Sequence, residues 1–173
     1  LWYSEARNVV NHGHLGDKII DGESYFSLRD GRLDKKSTVQ LHPYIAAYFY
    51  KFLHFFNEDI SLMRALSLLP VFLTAVAVIP IFFIGRKVAG NLGGFFASFF
   101  LAINFKFLLL SHVGIADTDA YTILFPLLIS WLFMEAYSTT KYTMKVIFCI
   151  LAGLCVGLFS ATWGGWSFIF FLI

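Results

Sequence analysis

Between Ala65 and Ile84 the sequence runs for 20 residues without a charge. A helix of that length rises about 30 Å at roughly 1.5 Å per residue, the thickness of a bilayer's hydrocarbon core. Pro70 and Pro80 inside the run are compatible with a span, because neighbouring helices or water can satisfy the carbonyls they free. Gly85-Arg86-Lys87 then reads as a tight basic turn, followed by an 18-residue apolar run from Val88 to Phe105 that ends at Lys106. A third span is expected over about 120–137. The 28 residues from Val146 to Ile173 are too long for one ordinary span and are interrupted by Trp163-Gly164-Gly165-Trp166. They divide into a fourth span over 146–162 and a truncated fifth over 163–173. Tryptophans beside a Gly-Gly turn suit the membrane interface, where indole meets both apolar and wet surroundings.

The expected fold is therefore an all-α polytopic membrane protein with about four complete spans and a large N-terminal external loop. Only 14% of the 173 residues are charged and 58% are hydrophobic, against roughly 25% charged in an ordinary soluble domain, which excludes a disordered chain and disfavours a water-soluble globule. The chain opens on Leu1 and stops within an apolar run at Ile173, so it is expected to be a piece of a larger protein.

Sixteen of the 24 charges fall in residues 1–64, eight of each sign, and eight are left for the remaining 109 residues. A polar segment thus precedes an embedded one. The formal charge of +2 is too small and too scattered for a nucleic-acid surface. Cys149 and Cys155 lie inside an apolar run and read as packing residues.

Basic residues near span ends stay on the cytoplasmic side. Arg86 and Lys87 follow the first span, and Lys141 and Lys145 follow the third, so by parity both groups lie inside. Asp117 and Asp119, Trp163 to Trp166 and the segment 1–61 then converge on the extracytoplasmic face. Within that segment, glycines and aspartates give turn chemistry through residue 38. From Pro43 to Phe56 an interfacial helix is expected, with Tyr44, Tyr48 and Lys51 on one face. Gly90/Gly94 and Gly153/Gly157 are spaced for close helix approach.

Asp117-Thr118-Asp119 is the sharpest chemical feature. Two carboxylates two residues apart at a helix start can converge on a hard cation such as Mg²⁺ or Mn²⁺, leaving positions open for a phosphate-bearing substrate. Capping offers the alternative account, with Asp117 as the N-cap and Asp119 in the first turn of the helix. Acids at the membrane edge carry a raised functional expectation, since insertion costs about 2.5 to 3.5 kcal/mol each. His112 is a candidate ligand or proton carrier, and Lys106 a candidate contact for a lipid phosphate, against water-bound loop and snorkelling roles. His12 and His14 read as loop residues, and Glu135 as a solvated residue at the cytoplasmic end.

An ordered set of strings carries a family resemblance. They are Gly85-Arg86-Lys87-Val88-Ala89-Gly90, Ala102-Ile103-Asn104, Gly114-Ile115-Ala116-Asp117-Thr118-Asp119-Ala120-Tyr121 and Thr162-Trp163-Gly164-Gly165-Trp166. Together they resemble the N-terminal membrane half of the oligosaccharyltransferase catalytic subunit, especially its archaeal forms. Trp2-Tyr3 to Arg7, Gly13-His14-Leu15-Gly16-Asp17 and His42-Pro43-Tyr44 resemble that family's first external loop. The resemblance implies transfer of an oligosaccharide from a dolichyl or other polyprenyl (pyro)phosphate carrier to Asn of Asn-x-Ser/Thr on the external or luminal face. It also implies a divalent metal, held by Asp117 and Asp119 as the family's second acidic motif. Lipid-linked donor, acceptor polypeptide and membrane lipid are the implied partners. An upstream catalytic Asp, a later-loop Glu and an acceptor-reading soluble domain would lie outside this chain, leaving it inactive alone. Many members have an Arg seven residues before the first Asp of the motif, where this chain has Leu110. Two alternatives remain open from the residues: a membrane glycosyltransferase moving a single sugar from a polyprenyl phosphate, and a transporter or channel fragment whose acids line an ion path.

Overall fold

The computed structural model describes residues 2–27, 35–36, 40–105, 108–109, 114 and 117–171, and forms two compact units, Leu1–Leu69 and Pro70–Ile173. In the first, α1 (Trp2–His12) packs on α2 (Leu41–Phe56). Val9, Leu15 and Ala47 form its buried cluster, with Val10 and Tyr44 against it. Ala6, Ala46 and Ala47 are almost fully buried, which lets the two helices pack closely. Gly13 ends α1 in the left-handed conformation, φ +80°, its N–H donating to the Val9 carbonyl at 3.0 Å.

Where turns alone are expected through residue 38, the described residues form three short antiparallel strands, β1 (Lys18–Ile20), β2 (Glu23–Phe26) and β3 (Lys35–Lys36). The cause is local. Asp21-Gly22, both at positive φ (51° and 80°), make a two-residue hairpin turn that pairs Ile20 with Glu23 and Lys18 with Tyr25. The strands are tied back to α1 through the chain at Leu15-Gly16: Asn8 Nδ2 donates to the Leu15 carbonyl at 3.0 Å, and Gly16 N donates to Ser24 Oγ at 2.8 Å. A side chain at Gly16 would run into the Tyr25 carbonyl. Tyr44 also departs from expectation. It packs inward against the Val9 cluster, while Tyr48, Lys51, Phe52, Phe55 and Phe56 form the exposed stripe of α2.

Among the described residues three helices are long and apolar enough to cross a membrane: α3 (Leu62–Ala102), α4 (Tyr121–Ser138) and α5 (Tyr142–Thr162). From Pro70 onward α3 belongs to the second unit. It is broken at Ala89 and Gly90, where Gly90 takes φ +69°. Beyond the break the chain folds back on itself. A Cβ on Gly85 would lie 2.6 Å from the Gly93 carbonyl, one on Gly94 would lie 2.7 Å from the Phe82 carbonyl, and Ser98 Oγ reaches the Val78 carbonyl at 3.5 Å. The limbs are therefore antiparallel and in backbone contact. Arg86 and Lys87, expected with Gly85 to form the turn, are helical instead, and the reversal falls at Ala89 and Gly90, where glycine takes the positive φ without strain.

Gly90 thus serves the turn, and Gly85, Gly93 and Gly94 serve the close approach. Among the described residues nothing comes within 4 Å of a Cβ at Gly153 or Gly157, so the expected packing role there is not realised among them. Helices α4 and α5 form the other antiparallel pair of the unit. After Trp163 the chain makes a 3₁₀ segment, Trp166–Phe171, in place of the start of a fifth α-helical span.

Candidate functional site at the start of helix α4

Asp117 and Asp119 lie in the turns that lead into α4. Successive turns bring Tyr121 N onto the Thr118 carbonyl at 3.1 Å, Thr122 N onto the Asp119 carbonyl at 3.0 Å, and Leu124 N onto the Ala120 carbonyl at 3.1 Å. Thr122 Oγ1 closes on the Asp119 carbonyl at 2.6 Å. These bonds hold the backbone of Asp119 without using its carboxylate.

The geometry decides the capping question. Ala120 is the N-cap and makes no side-chain cap bond. Asp117 Oδ1 accepts from its neighbour's backbone, Thr118 N, at 2.6 Å, and from Thr118 Oγ1 at 3.4 Å. The carboxylate of Asp119 accepts no hydrogen bond among the described residues. Neither carboxylate is therefore committed to the free N–H groups of the first turn. Both still sit where the helix dipole favours negative charge. Asp117 is exposed and Asp119 half-buried.

An aromatic column fixes this end of the unit. Tyr121 stacks on Phe125 at 5.9 Å, Phe125 meets Phe159 at 5.5 Å, and Phe159 stacks on Trp163 at 5.7 Å. Phe168 stands edge-on to both Phe159 and Trp163. Tyr121 and Phe159 are fully buried. The Trp163 ring lies over Gly165, where a Cβ would collide with it. The start of α4 is thus bonded through ring contacts to the Trp163-Gly164-Gly165-Trp166 turn at the end of α5. Sequence reasoning placed these two features on one face but did not foresee the contacting rings between them. Phe125 and Phe159 lie in helical interiors with nothing local to mark them.

At the other end of α4, Lys87 Nζ pairs with Glu135 Oε2 at 2.6 Å and donates to the Met134 carbonyl at 3.2 Å. Trp131 Nε1 donates to Glu135 Oε1 at 3.3 Å, and its indole stacks on Phe83 at 4.9 Å. Glu135, expected to be solvated, is held by a cation 48 positions away in sequence. This contact sets the Gly90 turn at the same end as the α4–α5 connection. Arg86, Lys87, Lys141 and Lys145 therefore gather at one end, and Asp117, Asp119 and the paired tryptophans at the other.

Lys106, Leu110 and His112 lie outside the described residues. His12 and His14 stack at 5.8 Å, and His14 Nδ1 lies 3.5 Å from Ser24 Oγ. Among the described residues no group of three or more His, Cys, Asp or Glu side chains converges. Two oxygen-bearing side chains suit a hard divalent cation but fill only part of its six or more positions, which fits an ion shared with substrate and water.

Helices apolar around most of their surface, with acids at one end and cations at the other, define an α-helical integral membrane protein. The chain belongs to the oligosaccharyl transferase family: the family described as "Oligosaccharyl transferase STT3, N-terminal" matches residues 2–173. It is 27% identical to the dolichyl-phosphooligosaccharide-protein glycotransferase of Methanococcus voltae over 97% of this chain and 19% of that protein. The protein of the same name from Methanocaldococcus jannaschii is 28% identical over 80% of this chain and 16% of its own length. The chain thus spans about a fifth of the length of the curated relatives it matches. No solved structure matches it.

Proposed function

We propose that the chain is the N-terminal membrane part of an enzyme that transfers an oligosaccharide from a dolichyl or related polyprenyl (pyro)phosphate to the Asn of Asn-x-Ser/Thr. The observation that carries this reading is the pair Asp117 and Asp119, standing at the start of α4 with carboxylates not used to cap it, in a chain the family matches along its length. In this reading the acidic end faces the cell exterior or lumen, because the cations at the other end are retained in the cytoplasm.

Asp117 and Asp119 would hold Mg²⁺ or Mn²⁺. When bound, such an ion supplies positive charge against the phosphate of the departing carrier. The chain's own residues do the holding. The Asp119 backbone is fixed by Thr122 and by the first turn of α4, so its carboxylate is positioned before substrate arrives. The buried rings of Tyr121, Phe125 and Phe159 keep water from the floor beneath the acidic turn and stop it from sinking between α4 and α5.

The test uses the full-length protein with a lipid-linked oligosaccharide donor and an Asn-x-Thr peptide. Asp117→Ala and Asp119→Asn are each expected to cut transfer by about a hundredfold or more, the scale of losing a preorganised electrostatic group, while thermal unfolding stays within a few degrees of wild type. Near-normal transfer by either variant would refute the assignment.

A further inference from the structure

The end of the second unit away from Asp117 carries charge that the proposed reaction leaves unused. Lys87 is occupied by Glu135 and the Met134 carbonyl. Arg86, Lys141 and Lys145 are exposed and make no ion pair among the described residues. Glu135 is the only acid in the sequence after Asp119, and Lys87 neutralises it. Tyr137 and Tyr142, 83% and 80% exposed, stand on either side of the turn between α4 and α5. Beside Arg86 lies a recess of about 330 Å³ lined by Phe83, Arg86, Lys87 and Glu135. One wall of it is the Phe83 ring, stacked on Trp131.

These features point to one kind of occupant. The net charge around the recess is positive, and the unpaired guanidinium is the group best shaped for two-point contact with a phosphate. The apolar helices below and the exposed tyrosines beside it set the depth at the boundary between acyl chains and headgroups. We infer that this end of the unit binds the headgroup phosphate of an anionic membrane lipid, with Arg86 at the recess and Lys141 and Lys145 supplying the surrounding field. The Lys87–Glu135 pair holds the recess open between α3 and α4, and the Phe83 wall receives the glycerol or upper acyl carbons. A free phosphate would meet the same guanidinium but has nothing to place against Phe83.

The test reconstitutes the full-length protein in nanodiscs of phosphatidylcholine alone or doped with phosphatidylglycerol, and reads co-purified lipid by native mass spectrometry. Each basic side chain near an anionic surface contributes about a fivefold gain in partitioning. The triple variant Arg86→Gln, Lys141→Gln, Lys145→Gln should therefore lose about tenfold or more of the phosphatidylglycerol that wild type retains, with unchanged unfolding in phosphatidylcholine discs. Equal retention by wild type and variant overturns the inference. If the triple variant fails to fold, Arg86→Gln is compared with Arg86→Lys: partial retention by Lys and loss by Gln support the site, and no difference from wild type in either overturns it. Full displacement of the lipid by inorganic phosphate would assign the site to a free anion and also overturn it.

Discussion

Replacing Glu135 by glutamine removes one charge and keeps an acceptor for the Trp131 N–H. What is lost is the pair with Lys87 Nζ, 2.6 Å from Glu135 Oε2, between side chains only 24% and 29% exposed. At an effective dielectric near 20 the gross attraction at such a distance is about 6 kcal/mol. Most of that offsets the desolvation of the two groups, and removing one partner of a fully buried pair costs about 3–5 kcal/mol. For a pair still about a quarter open to solvent, and with Lys87 keeping the Met134 carbonyl, the expected loss is about 2–3 kcal/mol. Replacing both partners with apolar residues of similar size, Lys87→Met with Glu135→Leu, should bring stability back to within about 1 kcal/mol of wild type, because no unpaired charge is left between α3 and α4. Equilibrium unfolding in mixed micelles, run as a double-mutant cycle, measures both. If Glu135→Gln stays within about 0.5 kcal/mol of wild type, like an ordinary surface change, or if the two substitutions simply add, the pair does not join the Gly90 hairpin to α4 as argued.

Gly93→Ala should cost about 1–3 kcal/mol through overpacking, since its Cβ would lie 2.6 Å from the Ala89 Cβ and 2.7 Å from the Gly85 carbonyl. Gly153→Ala, with open space around it, should instead be neutral or gain up to about 1 kcal/mol of helix propensity. The same unfolding assay distinguishes the two. Glu5, 7% exposed and with Oε2 lacking a hydrogen-bond partner among the described residues, has its carboxyl raised above the ordinary 4.5 by burial. The folded chain therefore holds that proton more tightly than the unfolded chain. Its contribution is most favourable below pH 4.5 and declines as pH rises through the raised folded value. Melting temperature scanned across that window should fall with pH in wild type, and Glu5→Gln should flatten the fall and be the more stable protein at neutral pH.

The sequence discloses what depends on runs and neighbours. Long uncharged stretches mark the helices that can cross a membrane, and Asp117-Thr118-Asp119 stands out because acids at a span's edge are costly. The place where the first apolar run turns back is harder to read. Arg86 and Lys87 resemble a loop only while their partner is unknown, and Glu135, which holds Lys87 on a helix, is nearly fifty residues away. The strand pair around Asp21-Gly22 was within reach, since that dipeptide between two strand-like segments is a strong hairpin signal; it was diluted by the other glycines and aspartates nearby. Small-residue spacing shows that helices can approach but not which ones do. Gly93 and Gly94 face the preceding limb, whereas Gly153 and Gly157 meet nothing among the described residues. At the site, the acidic pair is a local pattern, but the rings that brace it join two helices and emerge only when those helices are packed.

The limb of α3 from Asn91 to Ala102 rises about 18 Å at roughly 1.5 Å per residue, well short of a hydrocarbon core of about 30 Å. It is a poor candidate for entering a bilayer alone, and Gly93 and Gly94 leave its backbone uncovered on the side that faces the longer limb. Joined by a one-glycine reversal to a longer partner at backbone contact, it does not need to. The two limbs can leave the insertion machinery as a preformed pair, the shorter carried by the longer. Lengthening the connection at Gly90 would then lower the yield of inserted protein before it altered anything at Asp117.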